Sequence, residues 1–480
     1  MIKTSLPEGV VARVTAPLAP ALAALARCHP GAPSGRQPVH TLYGGAHLFR
    51  ADLAPKIGKA ALRAFEEYAA DPLEMATLLG LPGAATLTRP KSPLASFNVA
   101  FDDDPPADRR LDRAAWLAHT VHARVLEKLR HEPVEDLRID FEDGYGVRPD
   151  AEEDWHAAST ARELALGKAG HTLPPFIGLR IKALDAHHQA RAIRTLDIFF
   201  TTLLDEAKVT PPPGFVVTLP KITVPEQVTA LCDLLDAIES GHDLAPNTLA
   251  VELMIEAPET LLGARGELLL PRLIELGRGR VVAAHLGAYD LTAACDIAAS
   301  HQRLTHPLCD FARHLMQLGL AQTGIRLSDG ATHVLPLPVH KAAGHPLSAA
   351  QISENREAVH RAWKLHYDQI QHALAQGFYQ GWDLHPAQLP VRYAAIYAFF
   401  LENLEPAAAR LKNFVERAAQ ATRVGQVFDD AATGQGLLNF FTRALSAGAI
   451  VEDEALAATT LSAAELRGRS FLQIVENRRG

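Results

Sequence analysis

Charged side chains stand at or just past the ends of several short apolar runs, and they are the residues of this sequence best suited to chemistry. Glu142 and Asp143 end the run that starts at Leu137. Arg180 and Lys182 lie in the run from Phe176, and Lys221 ends the run from Phe215. Glu256 ends the run from Leu249, Asp290 follows the run from Arg280, and His385 closes the run from Tyr379. Charges gathered at one place are costly to desolvate without partners, and a bound cation is an efficient partner for clustered carboxylates. Carboxylate oxygens from Glu256 and Asp290 suit a hard ion, Mg²⁺ first and Mn²⁺ as the alternative, with waters and a chelating substrate completing its shell.

Each position also has a plainer reading. Glu142 and Asp143 precede a Gly turn and serve equally well as helix caps. Glu256 comes before Ala257 and Pro258, an ordinary helix start, and Asp290 taken alone is another cap. Lys221 reads as a lysine with a buried stem and a carboxylate partner rather than as a Schiff-base amine. His385, beside Pro386, reads as a hydrogen-bonded structural histidine. The 22 histidines contain no HExxH spacing, which disfavours zinc protease chemistry. The glycine-rich phosphate loop, the dinucleotide fingerprint and the GxSxG elbow are also missing, so nucleotide hydrolysis, Rossmann-type redox and serine hydrolysis lack their parts.

These residues must be positioned by regular elements. Strand-like runs begin at Val39, Leu137, Phe176, Phe215, Leu249, Arg280, Thr332 (THVLPLP) and Tyr379. Helical periodicity fills the intervals, at 56–69, 110–130, 152–166, 187–204, 225–238, 258–276, 302–320 and 349–375. Apolar strands alternating with helices form parallel sheets covered on both faces. Eight such units favour closure into a (β/α)8 barrel, with a doubly wound open sheet as the alternative. In a barrel the carboxyl ends of the strands carry the active site, which is where the charges listed above would fall. Residues 1–388 are expected to form the barrel, with an inserted segment near 71–108 that includes the acidic Asp102 to Asp104. Residues 389–480 are expected to form a helical C-terminal extension, packed beside the barrel or on a neighbouring subunit.

The 480 residues are 48% apolar and 21% charged, an ordinary globular composition. With 55 acidic and 47 basic side chains the net charge is -8, and no basic stripe suits a phosphate backbone, so nucleic acid is not an expected ligand. The four cysteines have no CxxC spacing and are expected to be reduced and mostly buried. The Ala-rich stretch from Val10 to Ala26 is interrupted by Arg13 and prolines and reads as a surface helix rather than a signal sequence. No uninterrupted run approaches the ~20 apolar residues of a membrane span, so no membrane is expected and the cytoplasm is the expected compartment.

In order along the chain, DFEDG (Asp140 to Gly144), GLRIK (Gly178 to Lys182), LPK (Leu219 to Lys221), MIEAPETLL (Met254 to Leu262), LGAYDLTAACDI (Leu286 to Ile297) and GWDLHPAQL (Gly381 to Leu389) resemble the citrate lyase β subunit-like and HpcH/HpaI aldolase superfamily, which includes malyl-CoA lyases. The likeness runs through about residues 38 to 400. It implies a TIM barrel of the phosphoenolpyruvate/pyruvate type with Glu256 and Asp290 as the Mg²⁺ ligands. It further implies that Arg180 contacts substrate carboxylate and carbonyl oxygens, with Lys221, Gly287 and Ala288 as further substrate-binding candidates. Glu142 and Asp143, in the acidic element with Asp140, are the candidates for proton transfer.

Tyr289 stands where the family has Glu, and Lys182 where it has Asn, which marks a divergent branch. The implied activity is metal-dependent carbon–carbon cleavage or condensation of a 2-oxo or hydroxy acid, free or as a CoA thioester, through a stabilised enolate. A homo-oligomer is implied too, since CoA-lyase relatives draw a catalytic acid from an adjacent subunit. Acyl-CoA thioester hydrolysis, a malate-synthase-like condensation and a non-catalytic binding protein are the alternatives.

Overall fold

The computed structural model describes residues 5–31, 35–87, 113–342, 344–416, 422–424, 427–429, 431–468 and 470–479. Eight short strands lie parallel in one sheet: β1 His40–Gly45, β2 Asp136–Asp140, β3 Phe176–Arg180, β4 Val216–Leu219, β5 Ala250–Ile255, β6 Val281–Leu286, β7 Arg326–Ser328 and β8 Gly381–Asp383. Their order is β7-β6-β5-β4-β3-β2-β1-β8, so each strand pairs with its predecessor in sequence and β8 returns to β1. The two outer strands meet as well. The amide of Asp329 donates to Gln380 O at 2.8 Å, and a bridge joins Ala331 to Trp382. The sheet is therefore a nearly closed TIM-type barrel, as the alternation of strands and helices predicts.

The strands are short, and every residue of β2, β4 and β5 is buried, as in parallel strands covered by helices. Each covering helix buries a stripe at helical spacing. Leu53–Tyr68, for example, turns Ala54, Gly58, Ala61 and Phe65 inward. At Gly178 in β3 an added Cβ would lie 2.2 Å from Val216 O, so the close approach of β3 to β4 requires glycine.

The seventh strand departs from expectation. It is Arg326–Ser328, whereas the THVLPLP run from Thr332 has no strand structure. Pro336 and Pro338 have no N–H to give a ladder, so this apolar run cannot pair as a central strand. The expected single helix at 258–276 is split into Pro258–Leu261 and Leu270–Leu276. The helix Ala349–Ala375 has its expected bounds, with a Ser348–Gln351 capping box at its start.

The boundary expected after residue 388 falls between β8 and the long helix Leu389–Glu416 that follows it and packs on the helices Ala349–Ala375 and Arg113–His131. Further on, Ala431–Ser446 packs on that long helix. The tail reaches the amino end of β1, where the Gln37 amide donates to Ser446 Oγ at 3.0 Å. Of the expected insertion, the helix Pro72–Leu79 and the turn Ala84–Thr86 are described. Asp102 to Asp104 lie outside the described residues.

Two helices, Glu8–Thr15 and Leu18–Cys28, form the amino-terminal arm, and every residue of theirs is at least partly exposed. Within their 21-residue span an 18-residue stretch has a mean hydropathy of 1.5, long and apolar enough by length and composition to cross a membrane, although Arg13 and the prolines interrupt it. Alanine, valine and leucine outweigh its few charges despite the prolines. All four cysteines are free. Cys232 and Cys309 are buried, while Cys28 and Cys295 are exposed, so burial holds for half of them.

Candidate active site

The carboxyl ends of β2 to β6 bring the charged candidates together on one rim. In the β2–β3 register Asp140 sits opposite Arg180. Both side chains are only 1% exposed, and they close a two-pronged ion pair, Nε to Oδ1 at 2.8 Å and Nη2 to Oδ2 at 2.6 Å. The guanidinium lies against two adjoining rings, 4.7 Å from the centroid of Tyr43 and 5.5 Å from that of Trp382. Its remaining nitrogen, Nη1, has no hydrogen-bond partner. It faces Glu142 Oε2 at 3.0 Å, itself unpartnered by hydrogen bonds, and Asp143 Oδ2 at 3.9 Å. Arg180 is thus fixed in place with one donor group turned toward the rim.

Glu142 and Asp143 lie in the turn after β2, which is set by the Asp140 carboxylate accepting from the amides of Glu142 and Gly144 at 2.9 and 2.7 Å. They differ in environment. Burial pushes the Glu142 carboxyl up, against the pull of Arg180 and with help from Asp143. Asp143, with a side chain 57% exposed, is held below the usual carboxylate range because Arg180 and Lys221 outweigh its burial.

Lys221 follows β4 with a left-handed φ of 49°. Its backbone amide donates to Glu256 Oε1 at 2.7 Å. Its ammonium bonds Glu142 and lies 3.2 Å from Asp143 Oδ1 and 3.9 Å from Asp290 Oδ1. Glu256, immediately after β5, is 3% exposed. Burial pushes its carboxyl up to about 7, with Asp290 and Glu142 adding to the rise and Lys221 opposing it.

Asp290 stands in the first turn of the helix Ala288–Ala294 after β6, with a side chain 43% exposed. Gly287 begins that helix. A Cβ there would lie 2.4 Å from Glu256 Cβ and 2.5 Å from its Oε2, so glycine lets the helix start against the carboxylate. Ala288 is buried beside it, at 2% exposure. All eight candidate residues thus belong to one end of the barrel.

Lys182 does not join them. Its ammonium donates to Phe141 O at 2.6 Å and pairs with buried Glu153 at 2.8 Å, which makes it a brace beneath the β2 turn. Tyr289 is likewise occupied, donating to Ala331 O at 2.8 Å. His385 caps the turn Pro386–Gln388 by accepting from the Ala387 amide at 3.1 Å, which is a structural role.

Sequence reasoning missed Tyr43 and Trp382 as the walls around Arg180. It also missed the ion network beneath the rim, where Arg138 Nη2 meets Glu252 Oε2 at 3.1 Å and Thr218 Oγ1 donates to Glu252 Oε1 at 2.8 Å. The available signal was the alternation of charges inside apolar strands, Asp136, Arg138 and Asp140 in β2 and Glu252 in β5.

Among the described residues no group of three or more His, Cys, Asp or Glu side chains is arranged to hold a metal ion. The donor set nevertheless fits Mg²⁺, which keeps several waters and is commonly bound through one or two carboxylates. Four rim carboxylates, Asp140, Glu142, Asp143 and Asp290, share two cations, Arg180 and Lys221, among the described residues, while Glu256 is held by the Lys221 backbone amide. Burial raises the Glu256 carboxyl, with Asp290 and Glu142 adding to the rise, and a divalent cation would offset both.

Residues 18–474 match the model of a family described as a domain of unknown function (DUF6986). No curated protein matches the sequence. Among solved structures, a citrate lyase from Burkholderia xenovorans LB400 is similar at 21% identity over 71% of this chain and 92% of that one, with a TM-score of 0.50. CitE from Mycobacterium tuberculosis, in complex with magnesium, acetoacetate and coenzyme A, aligns at 18% identity over 68% and 95% of the two chains, with a TM-score of 0.42. The malate synthase of Haloferax volcanii aligns at 16% identity over 71% and 83%, with a TM-score of 0.40. The first of these likenesses shows that the barrel fold is shared with that citrate lyase.

Proposed function

The chain belongs to the family described as a domain of unknown function (DUF6986), and for this member we propose a metal-dependent carbon–carbon lyase that cleaves or forms a hydroxy acid, free or as its CoA thioester. What supports the reading above all is the meeting of Glu256, Asp290 and a locked Arg180 on one rim, in the order of the motifs that resemble the citrate lyase β-like aldolases.

In this reading Glu256 and Asp290 hold Mg²⁺ or Mn²⁺. The ion supplies stabilisation for the negative charge that develops on oxygen as an enolate forms. Arg180 takes the substrate carboxylate through Nη1, which makes no hydrogen bond and faces Glu142 Oε2 at 3.0 Å. Because Asp140 and the rings of Tyr43 and Trp382 fix the guanidinium beforehand, little ordering cost falls on binding. Glu142 carries the proton, since its buried carboxyl holds one more readily than the exposed Asp143 does. Gly287 and Ala288 form the small-residue floor beside Glu256. The proposal includes a homo-oligomer, as the resemblance to the CoA lyases implies.

The test is release of pyruvate or glyoxylate from a panel of hydroxy acids, free and as CoA thioesters, with and without Mg²⁺ or Mn²⁺. Metal-dependent retro-aldol turnover supports the lyase. Metal binding without any turnover across the panel overturns it in favour of a binding protein, and release of free CoA alone overturns it in favour of a thioesterase.

A further inference from the structure

Building on the cation site proposed above, the geometry points to Lys221 as that site's internal counterion, whose ammonium stands among the carboxylates a divalent cation must enter and is displaced when the cation binds. One residue reaches four of the rim carboxylates by two routes. Its backbone amide holds Glu256 Oε1 at 2.7 Å, while its ammonium bonds Glu142 and lies 3.2 Å from Asp143 Oδ1 and 3.9 Å from Asp290 Oδ1. The first route is fixed by the backbone. The second runs through a flexible four-carbon stem whose side chain is 35% exposed, so the ammonium can leave toward solvent while the amide keeps Glu256 in place.

The backbone conformation is part of the device. Lys221 has a φ of 49°, a left-handed turn that disfavours residues with a Cβ and persists where the surrounding structure imposes it. At that turn the amide meets Glu256 while the side chain meets Glu142 and Asp143. The nearby Lys182 cannot stand in, because it is committed to Phe141 O and Glu153. A dication held by Glu256 and Asp290 would repel an ammonium 3.9 Å from Asp290 Oδ1 strongly in a half-buried site. The positive charge that stabilises the rim without metal therefore lowers its affinity for metal.

The test uses Mn²⁺ alone, titrated into the full-length wild-type protein, Lys221→Met and Lys221→Arg. Free Mn²⁺ is followed by electron paramagnetic resonance, binding heats by calorimetry, and folding by circular dichroism melts. Lys221→Met is expected to bind Mn²⁺ about tenfold tighter or more, and Lys221→Arg, which keeps the charge, to bind like wild type. Should the Met variant misfold, Lys221→Gln replaces it and is read in the same way. Equal or weaker binding by the neutral variant, where wild type binds, overturns the counterion role and leaves the cation site standing. Failure of both wild type and the neutral variant to bind overturns the cation site and the counterion role together. Binding by the neutral variant alone supports the counterion.

Discussion

Asp140 and Arg180 face each other across neighbouring strands, and their side chains form a two-pronged ion pair that is sealed from solvent. Breaking it leaves an uncompensated buried charge, which costs about 3–5 kcal/mol. Asp140→Ala is therefore expected to lower thermal stability sharply. Arg180→Lys keeps the charge but loses the fork, so its kcat/KM should fall by about 100-fold or more while Mn²⁺ affinity changes little. Melting curves and steady-state kinetics on the two variants check both outcomes.

Glu256→Gln keeps an oxygen that can accept from the Lys221 amide, so the fold should survive while Mn²⁺ affinity falls at least about tenfold. Retention of wild-type affinity would remove Glu256 from the cation site. A second consequence follows from the sign of its shift. A carboxyl raised to about 7 in the folded state from 4.5 disfavours folding once ionised, so its contribution is lost as pH rises from about 4.5 through about 7. Without metal, Glu256→Gln should therefore be at least as stable as wild type at pH 8.

Gly287→Ala places a methyl group within 2.5 Å of the Glu256 carboxylate. Either the carboxylate or the helix Ala288–Ala294 must move, at a cost of about 1–3 kcal/mol. Lower stability together with weaker Mn²⁺ binding is the expected pair of changes, read by denaturant unfolding and by titration. An unchanged melting temperature would mean that the contact is not tight.

Glu252, in the fully buried network below the rim, is held down at about 2 because Arg138, His285 and Thr218 outweigh its burial. A lowered carboxyl contributes stability that is present above about 4.5 and is lost as pH falls toward about 2. Wild type should lose on the order of 3 kcal/mol through this group across that interval, and Glu252→Gln should show a correspondingly flatter acid limb. Unfolding free energies measured from pH 6 down to about pH 2 provide the comparison.

The candidate site was legible because rim residues follow strands, and strands are legible from their apolar runs. Glu142, Asp143, Arg180, Lys221, Glu256 and Asp290 could each be placed at a strand end without coordinates, and all six occupy one end of the barrel. The run from Thr332 misled because its composition resembles a strand, while its prolines deny it a ladder. The real β7, Arg326–Ser328, is short and carries charge, and it pairs because β6 offers it a free edge. Tyr43 and Trp382 were invisible as partners of Arg180, since β1 and β8 meet β3 only across the closed interior.

The sequence by itself determined the alternation of strands and helices, the acidic residues at the strand ends and their resemblance to a lyase superfamily. These are local patterns, written in periodicity and spacing. Only the tertiary structure decided that Lys182 turns away to Glu153 while Lys221 turns in among the carboxylates. It also decided that Arg180 turns Nη1 toward Glu142 and that the tail reaches the amino end of β1 through Ser446. The physical reason is that a side chain's partner is fixed by the register and closure of strands far apart in the chain, and the spacing of residues along one strand does not contain that information.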